Sequence, residues 1–126
     1  MNTVVILGAS DKAERYSNRA QKLLMEQGFS VVPVHPTLET VEGVPIVHIL
    51  ADVPRHPDVL TVYVNPEHSA ALVDDIRAVA PKTVIFNPGT EHPGLESDLT
   101  ASGIRVIRAC TVTLLVTGQF KSIIIS

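Results

Sequence analysis

The chain has 126 residues, a net charge of −3, 45% hydrophobic and 18% charged residues, and a single cysteine. This is one domain, spanning 1–126, with enough apolar side chains for an independent core and not the composition of a disordered chain. The acidic balance excludes a general nucleic-acid surface, the absence of tryptophan argues against a base-stacking platform, and one cysteine excludes an internal disulfide framework.

Strand-like and helix-like patterns alternate. Thr3–Leu7 is a continuous apolar run that ends at Gly8. Ser17 or Asn18 caps a helix in which Ala20, Leu23, Leu24 and Gln27 follow helical spacing, and Gly28 stands where a C′ glycine ends it. Ser30–Val34 is a second strand weakened by Pro33, residues 36–45 an ordered loop, and residues 44–48 a short third strand. Residues 60–64 form a fourth strand. Pro66 then starts a helix with Ala70, Leu72, Val73, Ile76 and Val79 on its apolar side. Thr83–Phe86 is a fifth strand, a helix covers about 91–102 and ends at Gly103, and residues 104–109 are a sixth strand. Nearly continuous apolar strands alternating with helices define a βαβ architecture, a doubly wound parallel sheet buried on both faces.

Beyond Cys110 the apolar set Val112, Leu114, Leu115, Val116 and Phe120 is too large for a free tail, and part of it is expected to pack on the sheet as a final helix or short strand. Residues 122–126 have high β propensity, so they pair across a subunit interface, which would make a homodimer, or cover a sheet edge, or fray. The start carries no basic segment followed by a long apolar one, and the uncharged run 109–120 is too short and threonine-rich to cross a bilayer. A cytoplasmic protein with no membrane partner is the expectation.

In a doubly wound sheet of order 3-2-1-4-5-6, the crevice opens where strands 1 and 4 diverge at their C-terminal ends. Gly8-Ala9-Ser10 and Asn65-Pro66 fall at those ends, flanked by His35-Pro36 and Asn87-Pro88-Gly89. Lys12, Arg15 and Arg19 follow the glycine turn directly, so three of ten basic residues meet the start of a helix, the usual place to hold a phosphate. Asp11 and Glu14 dilute that field. No Walker A pattern or G-x-G-x-x-G occurs, and the second strand ends in Val34-His35-Pro36, with neither an acid for NAD nor an arginine for NADP. The five histidines, at 35, 48, 56, 68 and 92, have no metal-ligand spacing, so no metal is expected. No G-x-S-x-G elbow occurs, Cys110 reads as a small buried hydrophobe, and Asp74-Asp75 point in different directions into solvent.

Taken in order, Gly8-Ala9-Ser10, Lys12, Arg15, Ser17-Asn18-Arg19, Gly28-Phe29-Ser30-Val31-Val32-Pro33-Val34-His35-Pro36, Gly43-Val44-Pro45, Val62-Tyr63-Val64-Asn65-Pro66 and Phe86-Asn87-Pro88-Gly89 resemble the small stand-alone CoA-binding domain proteins. That family is similar to the N-terminal CoA-binding domain of the succinyl-CoA synthetase α subunit, and the resemblance covers about residues 2–112. It implies a Rossmann-like, three-layer αβα fold with coenzyme A, or an acyl-CoA, over the C-terminal strand edge. By the same resemblance Gly8, Ala9 and Ser10 form the turn at the CoA phosphates, with Lys12, Arg15, Ser17, Asn18 and Arg19 as neighbours. Val34, His35 and Pro36 border the adenosine end, and Val64, Asn65 and Pro66 with Asn87, Pro88 and Gly89 line the site from the fourth and fifth strands. The family usually has Asn-Pro where this chain has His35-Pro36. No catalytic residue is carried over, because the synthetase's phosphohistidine belongs to a later domain. The expected function is therefore a non-catalytic carrier, sensor or partner subunit for CoA. The alternatives are an NAD(P)-binding redox-sensing or oxidoreductase domain and a ligand-free oligomeric scaffold.

Overall fold

A computed structural model describes residues 2–125. In chain order it contains β1 (Thr3–Leu7), α1 (Tyr16–Glu26), β2 (Ser30–Val34), the short strands β3 (Thr40–Val41) and β4 (Val44–Pro45), a 3-10 turn (Leu50–Asp52), β5 (Val59–Val62), α2 (Pro66–Ala70), α3 (Val73–Val79), β6 (Thr83–Phe86), α4 (Pro93–Ala101), β7 (Arg105–Arg108), α5 (Thr111–Val116) and α6 (Phe120–Ile125). The main sheet has the order β2-β1-β5-β6-β7 and every pairing in it is parallel. This is the doubly wound, Rossmann-like α/β fold.

The strands are apolar throughout because successive side chains face different layers. Val5, Leu7, Leu60, Val62, Val84 and Phe86 pack with Ile76 and Val79 of α3 and Leu95 and Leu99 of α4. Val4, Ile6, Val59 and Ile85 face the other way, onto Leu24 of α1, Leu115 of α5 and Phe120 of α6. Helix α1 ends as its sequence requires. Gly28 takes φ +89°, and the N–H groups of Gly28 and Phe29 return to Met25 and Leu24 carbonyls at 3.1 and 3.0 Å.

The structure departs from the sequence pattern in four places. The expected third strand, 44–48, is not a strand of the main sheet; Val44–Pro45 instead closes an antiparallel hairpin on Thr40–Val41. Only Val47 pairs with the β2 edge, giving its N–H to Pro33 and taking that of His35. Those two residues face the same edge, so the N–H that Pro33 lacks is the donor a longer ladder would need next. The helix expected after Pro66 is two helices, with Leu72 out of helical geometry between them. This lets α2 stand at the sheet edge while α3 lies on the core. Helix α1 starts at Tyr16 behind an Arg15 N-cap, so Ser17 and Asn18 are buried in its first turn and do not cap it.

The fourth departure is at the C-terminal end, where α6 is a helix, not the strand its β propensity suggests. Phe120, Ile123 and Ile124 share one helical face, and their burial decides the conformation over local preference. Pairing by strand addition through 122–125 therefore loses its basis, and Ser126 lies outside the described residues. Phe120 is 1% exposed and meets the Phe29 ring edge-on at 5.2 Å. Phe120→Ala is expected to cost about 3–5 kcal/mol, the usual loss for a buried aromatic, measured by denaturant unfolding.

Candidate functional site

The site begins with a steric requirement. Gly8 has φ +97°, and a Cβ placed on it would lie 3.0 Å from Val64 Cγ1 and 3.1 Å from the Tyr63 carbonyl carbon. The family resemblance places Gly8 in the turn at the CoA phosphates. The structure supplies a reason of its own for the glycine, since the closely approaching group is the end of β5. The N–H groups of Gly8 and Ala9 both go to the Val34 carbonyl, at 3.2 and 3.0 Å, so neither is left for a ligand.

Free donors come later in the loop. Helix α1 has an extended Arg15 as N-cap, no side-chain cap and no acidic residue in its first turn. Among the described residues the N–H groups of Tyr16 and Ser17 have no backbone partner, which leaves the positive end of an 11-residue helix open. The loop that leads there is braced from behind. Asn18, fully buried, donates from Nδ2 to the Ser10 carbonyl at 2.8 Å and to Glu42 Oε2 at 3.3 Å. Ser10 Oγ in turn accepts the Lys12 N–H at 3.1 Å.

In front of this helix end lies a cleft of about 600 Å³. Of the residues named from the sequence, Gly8, Ala9, Ser10, Lys12, Arg15, Ser17, His35, Pro36 and Val64 line it. An adjoining annex of about 220 Å³ shares Gly8, His35, Pro36 and Val64 and adds Val34. Leu7, Ile49, Leu50 and Leu72 make its wall mostly apolar. Residues the sequence pattern does not single out for binding complete the two spaces: Asp11, Glu14, Tyr16, Leu38, Tyr63 and His68 in the cleft, and His48 and Asp75 in the annex. Tyr63 is the one with a visible signal, because it stands between strand residues and Val64-Asn65. Leu38 and Ile49 depend on the path of the hairpin segment, which no local pattern gives.

The remaining named residues do other things. Arg19 lies outside both linings and stacks on Tyr16, with the guanidinium carbon 5.2 Å from the ring centroid. Asn65 caps α2 by accepting the His68 N–H at 2.8 Å, and Pro66 takes the first helical position. Asn87, Pro88 and Gly89 are in neither lining. Asn87 is buried and donates to Thr61 Oγ1 at 2.7 Å and to the Val62 carbonyl at 2.8 Å, while its Oδ1 accepts the Thr111 N–H at 2.9 Å. It locks β5, β6 and α5 together beneath the cleft floor. Cys110, half-buried, stands as the N-cap of α5.

Burial pushes the Tyr63 phenol up to about 12. The hydroxyls of Thr111 and Thr61, paired with each other at 2.8 Å, lie beside it and offset part of that rise. Among the described residues no three His, Cys, Asp or Glu side chains are grouped to hold a metal ion, and no helix is long and apolar enough to cross a membrane.

The CoA binding domain pattern matches residues 2–115, and the chain belongs to that family. A solved structure of an uncharacterised protein is 35% identical, with a TM-score of 0.89, over 95% of this chain and 98% of that one. The Thermus thermophilus protein cell-free ID.343 is 28% identical, with a TM-score of 0.86, over 94% of this chain and 90% of its own. The uncharacterised protein YneT of Bacillus subtilis (strain 168) is 25% identical over 72 residues, 57% of this chain and 53% of YneT. The chain thus matches about half the length of that curated relative.

Two outcomes follow from the geometry. Gly8→Ala is expected to lower unfolding stability by about 2 kcal/mol in denaturant titration, because strain at positive φ adds to overpacking against β5. Free tyrosine titrates near 10 and Tyr63 near 12, so the unfolded chain gives up this proton first and stability falls as pH rises between those values. In an ultraviolet titration one of the two tyrosines should ionise only toward pH 12 or upon unfolding.

Proposed function

We propose that the chain binds coenzyme A or an acyl-CoA and acts as a non-catalytic carrier, sensor or partner subunit. The observation that carries this reading is the uncapped N-terminus of α1, whose free Tyr16 and Ser17 N–H groups meet Lys12 and Arg15 at the wall of the main cleft. A diphosphate suits such a site. Oriented backbone donors and the helix field supply fixed positive potential, and the two cations supply charge-assisted bonds. The annex fits the other end of the same ligand. It opens from the shared Gly8, His35, Pro36 and Val64, and its leucine, isoleucine and valine side chains present an apolar slot for an adenine ring.

The group supplies the thiol chemistry when bound; this chain's residues hold and orient it. Lys12 and Arg15 neutralise phosphate charge, Asn18 and Ser10 keep the loop in shape, and Tyr63 closes the cleft floor. Two further observations support a non-catalytic role. The Tyr63 phenol is pushed away from neutrality, the wrong direction for an acid or base near pH 7. His35 has its Nδ1 engaged by two backbone N–H groups and so is not free as a base there.

A thermal-shift panel of CoA, acetyl-CoA, NAD, NADP, ATP and AMP tests the reading. CoA at a hundredfold excess over Kd should add about 2.7 kcal/mol of stability. Arg15→Ala should weaken CoA binding by about 1.5–3 kcal/mol without changing the unliganded melting temperature appreciably. Stabilisation by NAD at lower concentration than CoA would replace this reading with a dinucleotide site.

A further inference from the structure

Three X-Pro pairs in this chain share one device. At Asn65-Pro66, Asn65 Oδ1 accepts the His68 N–H at 2.8 Å, and at His92-Pro93, His92 Nδ1 accepts the Leu95 N–H at 3.0 Å. At His35-Pro36, His35 Nδ1 accepts the N–H groups of both Thr37 and Leu38 at 3.1 Å. In each case the proline sets the direction of the turn and the side chain before it accepts the N–H three residues on. An amide oxygen does this at any ordinary pH. An imidazole does it only through an unprotonated nitrogen, so the ring that holds this turn is the neutral one with its proton on Nε2.

The turn built on His35 is part of the site. Pro36 and Leu38 line the main cleft, and His35 and Pro36 also line the annex. The Leu38 peptide is held from both sides, because His48 Nε2 donates to the Leu38 carbonyl at 2.9 Å. The two histidines respond differently to acid. His48 is the donor in its bond and keeps it when protonated, whereas protonated His35 presents a third N–H to two N–H groups and loses both bonds.

We propose that His35 is a positioning residue for the ligand: as neutral imidazole it folds residues 36–38 against the cleft, and on protonation it releases that wall, so that CoA binding weakens in acid. The proposal rests on the CoA reading above. The charged and titratable groups around His35 across the two spaces are Asp11, Lys12, Glu14 and Arg15 of the first loop, Tyr16 of α1, Tyr63 after β5, His68 of α2, Asp75 of α3 and His48 after β4, with Glu39 on its own loop. Their charges, and the protonation of the ligand's own phosphates, act on any protein that differs only at residue 35, which makes a substitution there the reference. Direct contact of His35 with phosphate has the opposite sign, since imidazolium would tighten binding in acid.

The test is calorimetric titration of the full chain with CoA at about pH 7.5 and about pH 5.5, either side of the imidazole range, for the wild type, His35→Asn and His35→Ala. It is run beside the Thr37 and Leu38 amide signals of the ligand-free proteins followed by NMR through the same interval. The asparagine oxygen keeps the turn at both pH values, so His35→Asn should bind like the wild type at the higher one. Between the two, the wild type should lose about tenfold more affinity than His35→Asn, the worth of one neutral hydrogen bond. His35→Ala should bind weakly at both. The Thr37 and Leu38 amides should titrate in the wild type and not in His35→Asn. Parallel affinity profiles for the wild type and His35→Asn, or relative tightening of the wild type in acid, would overturn the proposal. If none of the three binds CoA at the higher pH, the CoA reading fails instead, and the amide titration alone then decides for or against the turn.

Discussion

The site depends on one short contact between backbones. At the end of β1 the chain must turn away within a residue, because the segment leaving β5, Tyr63-Val64, runs so close that a Cβ on Gly8 would fit only if it gave way. The turn is held by a single acceptor, the Val34 carbonyl, which takes the N–H groups of both Gly8 and Ala9. This joins the ends of β1 and β2 and sends the following loop out over the sheet edge. The first two amides of the turn serve the fold, so the donors left without a backbone partner along the cleft come after them, at Ser10 and Asp11 and at Tyr16 and Ser17 at the start of α1.

A buried polar group stands behind Tyr63, which lines the cleft, in a sheet whose core is mostly apolar. Thr61, Asn87 and Thr111 are all buried, and each is joined to another. A helix as short as α5 brings buried N–H groups to the sheet edge that its own turn cannot satisfy, and Asn87 Oδ1 takes one of them. Because Asn87 also bonds the Thr61 side chain and the Val62 carbonyl, the ends of β5 and β6 and the start of α5 are one rigid unit. A network of this kind is costly to leave half-made, so the geometry of the floor is strongly specified. Glu96 and Arg108 give the adjacent edge a second tie, at 2.8 Å between Oε1 and Nε. The guanidinium holds the Glu96 carboxyl below its usual range, so this contribution is present at neutral pH and is lost as pH falls into the carboxylate range.

How much of this was legible in the sequence follows the range of the interactions. The parallel sheet could be read because buried strands leave unbroken apolar runs, and Gly28 could be read as a helix end because its chemistry is local. The absence of a third strand is not legible locally, because the obstacle is not in residues 44–48. It is the donor missing from Pro33, on a neighbouring strand. Ser17 and Asn18 look like caps, yet the hairpin brings Glu42 and the loop brings Ser10 to Asn18, and burial there moves the helix start to Tyr16. Asn87-Pro88-Gly89 marked a strand end correctly, but nothing local says that its side chain turns under the floor toward Thr61 and Thr111. Residues 122–125 are β-prone locally, yet they continue a helix that starts at Phe120, whose packing on Phe29 and the sheet is set far away in sequence.

The charge pattern of the cleft completes the argument about what it can select. Lys12 and Arg15 share its lining with Asp11 and Glu14, so the formal charges of these four side chains cancel. A site of that kind gains little from long-range attraction, which salt screens within about 10 Å. Its discrimination comes from short-range features instead: amides aimed from a helix end, and a neighbouring apolar annex that only a molecule with an extended, partly aromatic body can reach at the same time. An isolated phosphate satisfies the first and leaves the second empty. A nucleobase alone fills the second and leaves the helix end to water. On the proposed reading, specificity for a whole nucleotide-based cofactor therefore lies in the fixed span between α1 and the annex, and the residues that keep that span constant are the ones that brace the loops, Gly8, Asn18 and the turn at His35.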